Sequence, residues 1–166
     1  MTRRYLSSQR RELDAVVFDV DGTLIDSVDY HAKTWHEALE YYQIPAKLAD
    51  VRMQIGKAGD QLLPVFATPE QIQKCGELIK AKKNKLFHEN YLHKIQPFPG
   101  VRQLFESIKN RNIPIALASS AQSDELDIYK KIANVSDLID CQTSANSKDV
   151  KRSKPFPGKL KNIFLF

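Results

Sequence analysis

Two kinds of apolar pattern alternate along the chain. Ala15-Val16-Val17-Phe18 is a short, β-branched, uncharged run, the pattern of a strand buried on both faces. Ile113-Pro114-Ile115-Ala116-Leu117-Ala118 repeats it, with proline at a position a strand's start tolerates. Leu138 to Thr143 is a third, shorter strand candidate. Between the first two the period changes to that of helices. Val28, Ala32, Trp35, Leu39 and Tyr42 form one apolar stripe after an N-cap at Asp26 or Ser27, and Pro45 marks its end. Leu48 to Met53 reads as a short helix, and Lys57 to Leu63 as a flexible loop feeding another. Thr68-Pro69-Glu70-Gln71 carries a helix start with an N-cap threonine, a first-turn proline and a glutamine at the third position. Ile72, Cys75, Ile79 and Leu86 run as a stripe along that helix to about Tyr91, so Lys74, Lys80, Lys82, Lys83 and Lys85 are expected on a solvated face. Pro97-Phe98-Pro99-Gly100 punctuates the return, and two more amphipathic helices start near Val101 and Ser123.

Strand, helical stretch without a strand candidate, then helix–strand–helix–strand is the order of an α/β protein with a helical insertion. With 166 residues, 42% hydrophobic and 27% charged, the chain has the composition of a folded globular protein. It has no apolar run near the roughly 20 residues that span a bilayer. The basic start, Met1 to Arg11, lacks a signal peptide's apolar stretch and reads as a frayed tail. Cys75 and Cys141 have no metal-ligand spacing, which fits reduced thiols in the cytoplasm. The net charge of +5 is spread over helix-like segments without an aromatic–basic module. That argues against nucleic acid and fits an anionic small-molecule partner equally well.

The chemistry concentrates where the first strand ends, in Phe18-Asp19-Val20-Asp21-Gly22-Thr23-Leu24-Ile25-Asp26-Ser27. In extended backbone Asp19 and Asp21 point the same way and can converge on one cation or phosphoryl group. Gly22 permits a tight turn there. Aspartates that merely cap the turn are the bland alternative. The ten-residue string closely resembles the first motif of the haloacid dehalogenase superfamily, in its phosphoglycolate phosphatase- and β-phosphoglucomutase-like branch. The resemblance extends from about residue 14 to 157. It implies a doubly wound parallel, Rossmann-like sheet formed by residues 1–25 and 97–166, with a helical cap at 26–96. Asp19 is then the nucleophile, and Asp21 the general acid and base, its pKa raised by the like charge beside it. Mg²⁺ held by Asp19 and Asp21 neutralises the repulsion between anions.

The same resemblance makes Ser119, at the end of the second strand, the hydroxyl of the second motif, with Ser120 and Thr23 as further phosphate contacts. Lys154, in Ser153-Lys154-Pro155-Phe156-Pro157, resembles the lysine of the third motif. The loop Gly56-Lys57-Ala58-Gly59-Asp60 resembles the cap loop that reaches the active site, where Lys57 either contacts substrate or is a mobile surface lysine. His31 is a pocket-lining candidate on the first helix. The implied reaction is hydrolysis of a small phosphate monoester through an aspartyl-phosphate, or a phosphomutase reaction using the same residues. No acidic residue follows Asp149, so the fourth, acidic motif of the family is absent and the sheet is expected to be incomplete at the C-terminus. A truncated, weakly active or non-catalytic homologue that binds phosphorylated ligands or a partner is the corresponding alternative.

Overall fold

The structure, a computed structural model, describes residues 13–144. Its elements run β1 (Val16–Phe18), α1 (Val28–Tyr41), α2 (Leu48–Arg52), α3 (Gly59–Phe66), α4 (Pro69–Asn90), a 3₁₀ turn (Leu92–Lys94), α5 (Val101–Lys109), β2 (Ile115–Ala118), α6 (Ser123–Ile132) and β3 (Cys141–Thr143). The strands form a parallel sheet in the order β1-β2-β3. This is an α/β fold with a helical insertion between its first two strands.

β2 is buried throughout, as its apolar run predicts, and it is the central strand. β1 departs from expectation: Val16, Val17 and Phe18 are only half-buried. Among the described residues β1 pairs on one side only, with β2, which leaves its other edge less covered than a doubly flanked strand. β3 is shorter than its apolar run and begins at Cys141, although Asp140 just before it still donates its N–H to Ile115 O at 2.9 Å. The Asp140 carboxylate accepts the Ile115 N–H at 2.7 Å and the Lys109 ammonium at 2.8 Å, fastening the start of β2.

Apolar burial falls into two large clusters and a small one of Ala116 and Ala118 on the sheet. One large cluster gathers Leu24, Ile25, Phe105, Ile115, Leu117, Leu126 and Tyr129 around the sheet. The other gathers Trp35, Leu39, Ile44, Val51, Leu62 and Ile79 inside the helical insertion. The helix α4 joins them, because Ile79 lies in the second cluster and Phe87, two turns on, in the first. Its start has the predicted capping box: Gln71 N–H donates to Thr68 Oγ1 at 3.3 Å, and Thr68 N–H donates to Gln71 Oε1 at 2.9 Å. The two chain crossings between insertion and sheet are stitched together. Phe98 N–H donates to Leu24 O at 3.0 Å and Asp26 N–H to Gln96 O at 2.9 Å.

Candidate active site

The turn after β1 is built on one carbonyl. Val20 O accepts from the N–H groups of Thr23, Leu24 and Ile25 at 3.1, 2.8 and 3.3 Å. Gly22 holds φ at +73°, and a Cβ there would meet Val28 Cγ2 at 2.6 Å, so both conformation and space require glycine. The turn carries Asp19 and Asp21 past the carboxyl end of the sheet. Thr23 Oγ1 lies 3.4 Å from Asp19 Oδ2 as a donor.

Ser27 occupies the N-cap position of α1, as expected, yet it does not cap the helix. Its hydroxyl donates instead to Asp21 Oδ1, at 2.7 Å. His31 Nε2 reaches the same oxygen at 3.0 Å, and its ring stacks on Phe87 at 4.2 Å between centroids. His31 Nδ1 is buried without a hydrogen-bond partner among the described residues, so Nε2 is the ring nitrogen that donates to Asp21. The expected upward shift of the Asp21 pKa is reversed. Burial pushes it up, but hydrogen bonds from His31 and Ser27, with the charges of His31 and Lys83, outweigh burial and hold it below its ordinary value. The resting carboxyl is ionised because its neighbours are donors and cations rather than a second carboxylate.

The parallel register aligns the two strand ends. Phe18 stands opposite Leu117, so Asp19 and Ser119 follow at adjoining carboxyl ends. Ser119 is fully buried, and its Oγ accepts the Ala121 N–H at 3.0 Å, shaping the turn that opens toward α6. A cleft of about 370 Å³ lies above, lined by Asp21, His31, Lys57 and Ser120 of the predicted residues. Asp19, Thr23 and Ser119 are not among its lining residues. Lys57 is exposed and donates to Gln54 Oε1 at 2.5 Å. Lys154 lies outside the described residues, as do the basic N-terminal tail and everything after Ser144. A more open cavity of about 500 Å³, lined by His88, His93 and Ile132 among others, holds none of the predicted residues.

Lys83 corrects the expected solvated face of α4. It is 9% exposed and lines the cleft, whereas Lys74 and Lys85 are exposed as expected. Burial pushes its pKa down, opposed by the charges of Glu125 and Asp21. Its ammonium stands 4.9 Å from the Phe87 ring centroid. The signal was in the spacing: Gly76, Ile79, Lys83 and Phe87 fall on one buried face, a lysine interrupting an apolar stripe. Glu125 and Tyr129, one turn apart on α6, were also missed. Both are buried, and the Tyr129 hydroxyl donates to Glu125 Oε1 while lying 3.4 Å from His31 Nε2. Burial, then the charges of Asp21 and Glu125, push the tyrosine pKa upward and keep its proton in place.

A family model described as haloacid dehalogenase-like hydrolase matches residues 16–164. The chain belongs to this family. Within it, the β-phosphoglucomutase of Bacillus subtilis is 28% identical over 82% of this chain and 64% of its own length. A phosphorylated carbohydrates phosphatase from Thermotoga maritima is 25% identical over 87% of this chain and 66% of its own. This family member therefore spans about two thirds of the length of those curated relatives. A hydrolase from Pseudomonas syringae superposes with a TM-score of 0.75 at 28% identity, covering 90% of this chain and 69% of that one. The family implies Mg²⁺. Asp19 and Asp21 supply hard oxygen donors of the right kind, but among the described residues no group of three or more His, Cys, Asp or Glu is placed to hold a metal.

Proposed function

We propose that this chain hydrolyses a small phosphate monoester through an aspartyl-phosphate on Asp19. The observation that supports the reading is the parallel register of β1 and β2, in which Phe18 pairs with Leu117 so that Asp19 and Ser119 follow at adjoining strand ends, together with a cleft lined by Asp21, Ser120 and Lys83. Ligand sites of open parallel sheets lie at the carboxyl ends of the strands. Residues 26–96 act as the cap over a core formed by residues 1–25 and 97–166.

In the first step a carboxylate oxygen of Asp19 forms a bond to phosphorus as the bond to the leaving oxygen breaks. Asp21 gives its proton to that oxygen. In the second step Asp21 takes a proton from water, whose oxygen bonds to phosphorus while the Asp19–phosphorus ester opens. Asp21 is ionised at rest, so it must first acquire a proton. The anionic phosphoryl group entering beside it raises its pKa toward protonation. Ser27 and His31 hold the carboxyl in one orientation meanwhile. Ser119, Ser120 and Thr23 bind phosphoryl oxygens with hydroxyl and turn N–H groups, and Lys154 neutralises their charge. Lys83 and Lys57 face the substrate from the cap side. The Asp19 carboxylate and the Asp21 main-chain carbonyl would hold Mg²⁺, which when bound would neutralise the charge repulsion that opposes the attack.

Both cysteines are free thiols, and no helix among the described residues is long and apolar enough to cross a membrane. A cytoplasmic setting with a phosphorylated small molecule as partner fits these features. The test is release of phosphate from p-nitrophenyl phosphate with and without Mg²⁺. Turnover that needs Mg²⁺ and disappears in Asp19→Asn is expected. Wild-type protein that binds phosphate esters but releases none overturns hydrolysis in favour of a binding role.

A further inference from the structure

The cleft wall contributed by α6 has chemistry that phosphoryl transfer does not use. Glu125 is 7% exposed and lines the cleft. One of its oxygens accepts the Tyr129 hydroxyl, and the other has no hydrogen-bond partner among the described residues. Lys83 is 9% exposed, lines the same cleft and makes no hydrogen bond or ion pair among the described residues. The other two lysines lining the cleft are engaged. Lys80 pairs with Glu77 at 2.5 Å, and Lys57 donates to Gln54 at 2.5 Å.

A carboxylate only accepts and an ammonium only donates. A ligand group that satisfies both must itself donate and accept, and a hydroxyl does so. A carboxylate or second phosphate would satisfy Lys83 but bring another anion against a buried Glu125. We propose that Glu125 is a specificity-determining residue, selecting phosphate monoesters whose leaving group carries a hydroxyl and rejecting those with a second anionic group. This inference rests on the cleft being the substrate site of the proposed hydrolysis. Tyr129 is the positioning residue: its hydroxyl ties down one carboxylate oxygen and so orients the other.

The test is ligand binding to the full 166-residue chain without Mg²⁺, measured by titration calorimetry, so that it does not depend on turnover. Glycerol 3-phosphate and 3-phosphoglycerate form a matched pair differing at one end, a hydroxymethyl group against a carboxylate. Wild type is expected to bind glycerol 3-phosphate about tenfold more tightly or better, the scale of one like-charge contact in a partly buried site. In Glu125→Gln, which keeps the shape and an acceptor for Tyr129, the preference should fall to about twofold or less on the same reasoning. Tyr129→Phe keeps the charge, so it should retain the preference while weakening glycerol 3-phosphate binding; it also serves if Glu125→Gln does not fold. Equal binding by wild type, binding of neither ligand, an unchanged ratio in Glu125→Gln or a lost ratio in Tyr129→Phe each overturns the proposal. Failure of p-nitrophenyl phosphate turnover with the binding preference intact refutes hydrolysis alone.

Discussion

Asp21→Asn separates the charge of this carboxyl from its shape. Asp21 accepts from Ser27 Oγ at 2.7 Å and from His31 Nε2 at 3.0 Å, and its side chain is 22% exposed. A hydrogen bond to a charged group contributes about 1.5–3 kcal/mol against about 1 kcal/mol for a neutral one. Replacing carboxylate by amide therefore removes about 1 kcal/mol per bond, offset in part by the relief of burying a charge. The net expectation is a loss of about 1–2 kcal/mol at pH 7, or about 3–6 °C in melting temperature. The pH dependence is the sharper part. The folded-state pKa of Asp21 lies below its ordinary 3.8, so between the two values the unfolded chain binds more protons. The carboxylate's stabilisation is fully present above about 3.8 and is lost as pH falls through the lower, folded value. Urea unfolding of wild type and Asp21→Asn from pH 7 downward should show a gap that closes in acid. A variant as stable as wild type at pH 7, or a gap that does not narrow, refutes this account of the network.

Gly22→Ala should destabilise by about 2 kcal/mol or more, since its φ of +73° and the 2.6 Å approach of Val28 act together. Gly56→Ala, with φ of +106° in open space, should cost only about 1 kcal/mol, and calorimetric melting that reverses this order contradicts the turn geometry. Ser119→Ala deletes the acceptor of the Ala121 N–H and should cost about 1 kcal/mol of stability, read by urea unfolding, and weaken orthovanadate binding. Lys83→Met should lower affinity for glycerol 3-phosphate by about tenfold, because it removes a buried cleft-facing donor. Lys74→Met on the exposed side of the same helix should leave it unchanged.

The features legible in the sequence were those fixed by local chemistry. The Asp19 to Ser27 string, the capping box at Thr68 and Gln71, and the β2 run each specify their element through neighbours in the chain. Long-range contacts were not legible. The Ser27 hydroxyl reads as a helix cap because serines there usually accept a first-turn N–H; only the folded turn brings Asp21 within reach as the carboxylate to which it donates. The like-charge argument for Asp21 failed because His31, ten residues on, and Lys83 on another helix decide its protonation. Lys83 was hidden among four other lysines of α4, although its place in the apolar stripe distinguishes it. Glu125 and Tyr129 belong to no motif, and nothing before folding links them to the cleft.

The central claim is a covalent phosphoryl group on Asp19. Rapid acid quench of the chain turning over a ³²P-labelled phosphate monoester with Mg²⁺, followed by peptide mapping, tests it directly. An acid-stable, hydroxylamine-labile label on the peptide containing Asp19, absent in Asp19→Asn, is the predicted result. Phosphate release without any label, or a label that persists in Asp19→Asn, would contradict it.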